Sequence, residues 1–278
     1  KDATNGIEYY QNIREMEEHF DEKKEEIISG LKVLSELLFR KGNVMISYTA
    51  SREGLAVLEE EIGSLKEVLY PERMPQSRCI LHCEKKNEGF KTSGQVQYVA
   101  QTGNFKKKGL EYTGALEILK VILSYDYLWM NLRVKGGAYG CMSGFKRNGE
   151  SYLVSYRDPH LKRTLDVYKG IPDYIRNFQA DEREMTKYII GTISGKDVPR
   201  TPQMKGSVSK TAYFCGVTEE MLQKERDQIL NASAEDIHAL AEIIEAVLAA
   251  DQICVVGSES KVAEASDVLM EVKPLINC

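Results

Sequence analysis

Nowhere among the 278 residues do about eighteen apolar residues run together, so the sequence offers no membrane-spanning helix. Nor does Lys1-Asp2-Ala3-Thr4 show the charged-then-apolar order of a secretory signal. An excess of positive charge is also missing. The net charge of -5 and the pI near 5.6 leave no basic footprint, which argues against nucleic acid and anionic membrane surfaces as partners. Lys106-Lys107-Lys108 is too short for a phosphate stripe and reads as solvated loop charge. Cysteine is sparse. Cys79, Cys83, Cys141, Cys215, Cys254 and Cys278 form no paired framework, so a reducing, cytoplasmic compartment is expected. Cys79-Ile80-Leu81-His82-Cys83 has no second ligand pair after it. Its alternation puts Cys79, Leu81 and Cys83 on one strand face, as buried thiols. None of the four histidines is followed by a Glu-His pair at metal-ligand spacing, so no metal site is expected in this chain. No strand, glycine-rich phosphate loop and helix occur in succession, which leaves nucleotide binding unsupported.

What is present is a chain of 42% hydrophobic and 28% charged residues, the balance of a globular protein with room for one large or two ordinary domains. It starts without methionine in what reads as the middle of a helical region, as a piece of a longer polypeptide would. Two distant segments share one pattern of helix, short apolar strand, polar turn and amphipathic helix. The first has a helix from Ile27 to Phe39, a strand Val44-Met45-Ile46-Ser47-Tyr48 and a helix from Glu53 to Leu69. The second has a helix from Ala234 to Ala249, a strand Ile253-Cys254-Val255-Val256 and a last helix from Lys261 to Leu275. Each copy has the form of a domain's end. Residues 1–72 are accordingly expected to be the tail of one α+β domain, and residues 73–278 a second domain beyond a connector at Pro71 to Gln76.

Within that second domain, Gln95 to Thr102 alternates as a half-buried strand. A mostly apolar helix from Tyr112 to Arg133 follows, then strands Ala138 to Phe145 and Ser151 to Tyr156 joined by an Asn148-Gly149 hairpin turn. A helix from Lys162 to Phe178 and another from Asp181 to Ile193, behind an acidic first turn, come next. Gly195 to Gly206 reads as a loop, helices resume at Ser207, and Thr218 and Ser233 stand as helix caps, the latter in a box with Asp236. The order predicts an α+β domain: a mostly antiparallel sheet with helices packed on one face.

The segment Leu132-Arg133-Val134-Lys135-Gly136-Gly137-Ala138-Tyr139-Gly140 closes the apolar helix and opens a strand. Paired glycines between an arginine and a tyrosine let backbone approach a ligand while a guanidinium and a phenol project from one turn. Leu132-Arg133 with Gly136-Gly137-Ala138-Tyr139-Gly140 resembles the C-terminal domain of pitrilysin and insulinase-type zinc metallopeptidases, in their presequence protease branch. Asn87-Glu88-Gly89-Phe90, Gly191-Thr192-Ile193-Ser194 and Gly216-Val217-Thr218-Glu219-Glu220 extend the likeness. It implies a clamshell whose N-terminal half, elsewhere in the polypeptide, holds zinc on a His-x-x-Glu-His motif and closes with this part over a peptide substrate. It further implies that Arg133 and Tyr139 contact the substrate backbone and the developing oxyanion, with Gly136, Gly137 and Ala138 lining the approach.

Other residues invite plainer readings. His160 follows Asp158-Pro159 at a helix entry with no paired nucleophile or ligand near it in sequence. Glu59-Glu60-Glu61 is a charged helix face. Ser207 to Ser209 with Lys210 only faintly suggests a serine and lysine pair, lacking a defined base and oxyanion donors. An inactive scaffold or a free-standing peptide-binding domain of the same fold are the alternatives to a peptidase half.

Overall fold

The computed structural model describes residues 6–71 and 84–275, and the Cys79 to Cys83 segment lies outside them, as does most of the expected connector. The chain divides into two compact units. One is Lys1–His82 with Arg200–Gly216, the other Cys83–Pro199 with Val217–Cys278.

In the first unit, helices Ile7–Glu18, Phe20–Leu38 and Arg52–Glu67 bury no side chain, and a backbone bridge joins Arg40 to Tyr70. The Val44 to Tyr48 strand does not form. A lone strand leaves its amides and carbonyls unpaired, and among the described residues no other strand lies beside it; a 3-10 turn at Lys41–Asn43 leads into extended chain instead. The loop expected up to Gly206 is also shorter. A helix runs over Pro202–Cys215, because Thr201 caps it by accepting from the Met204 N–H and Pro202 takes the first helical position, where no N–H is needed.

The second unit is built on a sheet of β1 (Glu88–Thr92), β2 (Gln97–Asn104), β3 (Gly140–Phe145), β4 (Glu150–Asp158), β5 (Gln252–Ser258) and β6 (Glu271–Pro274). Their spatial order is β3-β4-β2-β5-β1-β6. The sheet is mixed, not mostly antiparallel. β3/β4, β4/β2 and β2/β5 run antiparallel, while β1 lies parallel to both β5 and β6. The cause is the C-terminal segment expected as one helix from Lys261 to Leu275. It is a short helix, Glu259–Glu264, followed by β6, and this crossover returns the chain in the direction of β5. Pro274 is tolerated because β6 is an edge strand, where no partner requires its missing N–H.

Helices cover one face of this sheet. Val99, Leu153, Ile253 and Val255 point into a core filled by Leu116, Ile118, Leu119, Ile122, Ile175 and Ile244. Each such side chain contributes roughly 1.5–3 kcal/mol on burial. Tyr98, Met142, Tyr152, Tyr156 and Cys254, at the alternate positions, stay exposed on the other face. The expected helix from Lys162 to Phe178 is two, Lys162–Lys169 and Ile171–Arg176, because Pro172 cannot donate and starts a new turn. Ala234–His238 and Ala241–Ala249 are likewise separate helices.

Candidate functional site

The helix that leads to the glycine turn begins as a regular α-helix, Ala115–Ile122, and continues through two π-helical stretches, Leu123–Tyr127 and Trp129–Val134. Leu116, Ile118, Leu119, Ile122, Leu123, Leu128 and Leu132 are all buried, so packing on several sides holds the wider coil. The Lys135 N–H donates to the Met130 carbonyl at 2.9 Å, and Ala138 N–H to Leu132 O at 2.9 Å. That last bond needs Gly137 at φ 78, in the left-handed region. Gly136 is buried, and a Cβ there would lie 2.4 Å from Leu132 O.

Arg133 and Tyr139 emerge together from this turn. Tyr139 is 63% exposed, while its neighbour Ala138 is 2% exposed and packs inward. Arg133, also exposed, donates from Nη1 to the Tyr139 carbonyl at 2.7 Å. Its guanidinium lies 4.3 Å from the Trp129 ring centroid and 5.7 Å from that of Tyr139. Stacking and the carbonyl bond fix the side chain, leaving the remaining N–H groups of the fork for a ligand. No hydrogen bond to the Tyr139 hydroxyl is found among the described residues.

The sheet supplies the rest of the surround. Tyr139 meets Tyr156 edge-on at 5.8 Å, and Tyr156 meets Tyr98 at 5.3 Å. Between Gln97 and Val99 the β2–β4 register slips, so Tyr156 and Arg157 together face Tyr98 alone. Arg157 sits in this bulge at φ 49, a conformation costing a non-glycine residue on the order of 1 kcal/mol. The Tyr139 N–H is shared between the Tyr156 and Arg157 carbonyls, at 3.1 and 3.3 Å. Beneath it, burial pushes the Cys141 thiol above its ordinary value, with Arg133 opposing and Asp158 adding to the shift.

Trp129, Tyr98, Tyr156 and Arg157 are thus neighbours of the site that sequence reasoning missed. The two tyrosines occupy outward positions of alternating strands, a signal that was present; Arg157 had none, since bulges leave no mark in periodicity.

The family model described as the PreP C-terminal domain matches residues 87–260. The chain belongs to this family. Among its relatives, "Protein HypA" of Clostridium perfringens is 43% identical over 275 residues, covering 99% of this chain and 28% of its own length. "Presequence protease 1, chloroplastic/mitochondrial" of Arabidopsis thaliana is 32% identical over 246 residues, covering 87% and 23% respectively. The chain therefore spans about a quarter of the length of these relatives. The crystal structure of pitrilysin shares the fold with a TM-score of 0.51 at 13% identity, over 74% of this chain and 23% of that one.

Among the described residues no group of three or more His, Cys, Asp or Glu side chains is placed to hold a metal ion. His160 is exposed and gives its backbone N–H to Asp158 Oδ1 at 2.9 Å. Glu59, Glu60 and Glu61 are exposed on their helix, and Ser207 and Lys210 are exposed on theirs. Among the described residues no helix is long and apolar enough to cross a membrane.

Proposed function

We propose that this chain is the non-zinc-binding C-terminal portion of a peptide-degrading zinc metalloendopeptidase, providing substrate-backbone and oxyanion contacts to a metal site held in the N-terminal half of the same polypeptide. The observation that carries this reading is the pairing of Arg133 with Tyr139: a guanidinium bonded to the tyrosine's own carbonyl, beside an exposed phenol whose hydroxyl has no partner among the described residues.

When water attacks a peptide carbonyl, its oxygen gains negative charge, so a donor aimed at it binds the transition state more tightly than the substrate. Tyr139 donates that hydrogen. Arg133 fixes the turn that carries it and offers its remaining N–H groups to a substrate carbonyl; Gly136, Gly137 and Ala138 add no bulk in the way. Membership in the PreP C-terminal domain family and the 32% identity to a presequence protease support a peptide as substrate.

The division into a tail at 1–72 and a substrate domain at 73–278 belongs to the same proposal. It is supported by the first unit's helices, which bury nothing while exposing Leu31, Leu34 and Leu38, an apolar face that the rest of a domain would cover. Cysteine usage supports a cytoplasmic setting.

The test is Tyr139→Phe in the full-length protein. Turnover of a quenched peptide should fall on the order of 100-fold with little change in KM. A loss confined to KM, or no loss, would remove the hydroxyl from the reaction.

A further inference from the structure

The geometry points to Arg157 as a second anchoring cation of this site, which with Arg133 receives a carboxylate of the peptide substrate. The inference rests on the peptidase reading above and adds to it a substrate class.

Arg157 and Arg133 both hold their guanidinium groups within about 6 Å of the Tyr139 ring centroid, at 5.8 and 5.7 Å. Two cations gathered around one exposed phenol repel each other in the absence of an anion. Among the described residues no carboxylate pairs with either. The nearest acid in sequence, Asp158, is buried and accepts from Thr164 Oγ1 at 2.6 Å and from the His160 N–H at 2.9 Å. A carboxylate arriving with substrate would relieve this repulsion, and the planar fork of each arginine suits it.

Holding the bulge does not account for an arginine here. The backbone at φ 49 is served better by glycine or asparagine, and the Arg157 contribution to Tyr139 comes from its carbonyl, which any residue has. The side chain, exposed and without a hydrogen-bond partner among the described residues, lies against the tyrosine ring instead. The strained position therefore turns a cation toward the ring from which the reacting hydroxyl projects.

The carboxylate has two sources, an acidic side chain near the cleaved bond or the peptide's own C-terminus. The experiment measures kcat/KM of the full-length protein on two sets of quenched peptides. One set exchanges Glu for Gln at single positions flanking the cleaved bond; the other compares free with amidated C-termini. The wild type should favour the carboxylate-bearing member in one set by about tenfold, and the set that responds identifies the source. Arg157→Asn, which keeps a residue suited to the left-handed backbone, should bring that ratio to about one, and Arg157→Lys should restore most of it. A merely structural role would lower both members of a pair equally and leave the ratio intact. Absence of preference in the wild type, or a preference that survives Arg157→Asn, overturns this inference alone. Failure of the wild type to cleave any peptide overturns the peptidase reading and this inference with it.

Discussion

Gly137 carries the turn through a conformation that places no demand on space. The nearest atom to a Cβ there would be Pro159 Cγ at 3.5 Å, an ordinary contact, so the obstacle to a side chain is φ 78 alone. Alanine in the left-handed region costs roughly 1–2 kcal/mol, and relaxing that strain means moving the Ala138 N–H off Leu132 O. Tyr139 follows two residues later and moves with it. Gly137→Ala should therefore lower thermal stability by on the order of 1 kcal/mol and reduce kcat/KM of the full-length protein by a larger factor than that strain would suggest. Gly137→Asn, better suited to the left-handed region, should lie between alanine and wild type in both measurements. Equal behaviour of the alanine and asparagine variants would show that backbone conformation is not what the glycine provides. At this scale the sequence was informative: a guanidinium and a phenol flanking paired glycines are visible as letters. The second cation beside the phenol was not, because Arg157 enters the site through a register slip that depends on the pairing of β2 with β4.

Helix ends and turns were the elements most readily read, since their chemistry is local. Asp181 accepts from the Glu184 N–H at 2.8 Å, and Glu184 accepts from the Asp181 N–H at 3.1 Å, closing a reciprocal box at the start of the Glu182–Lys196 helix. Asp181→Ala should cost about 1 kcal/mol by urea unfolding, with an unchanged slope, because one amide loses its acceptor while the core is untouched. No change in the unfolding midpoint would mean that water serves the helix end as well as the carboxylate does. Ser233 with Asp236 and the Asn148-Gly149 turn were legible on the same grounds, the latter holding Gly149 at φ 86. What failed were features decided by distant partners. β1 exists because β5 and β6, far along the chain, flank it. Val44 to Tyr48 has strand-forming residues but no such neighbour among those described. The π-helical stretches before the site follow from packing around Leu128 and Leu132, and apolar spacing alone reads them as ordinary helix.

Across the sheet unit, buried and half-buried phenols are a recurring device. Tyr112, Tyr127, Tyr168, Tyr174 and Tyr188 all have hydroxyls whose ionisation is pushed upward, chiefly by burial, with Tyr174 raised to about 12. Tyr168 is fully buried and donates to the Val99 carbonyl at 3.2 Å, tying the Lys162–Lys169 helix to the central strand β2. The sign of the pH dependence follows. A phenol that stays protonated in the folded state contributes its full stabilisation below the unfolded value of about 10. Above that, the unfolded chain releases protons that the folded protein retains, and stability falls by about 1.4 kcal/mol per pH unit for a phenol in the position of Tyr168. Lysine ion pairs such as Lys273 with Glu88 weaken in the same alkaline range, because there too the folded value is raised. Replacing one phenol separates the two contributions. The urea midpoint of the wild type should hold steady from pH 8 to about 9.5 and then decline, while Tyr168→Phe should begin lower, having lost the bond to Val99, and decline less steeply. Parallel curves for the two proteins above pH 10 would show that the buried phenol is not what couples this fold to alkaline pH.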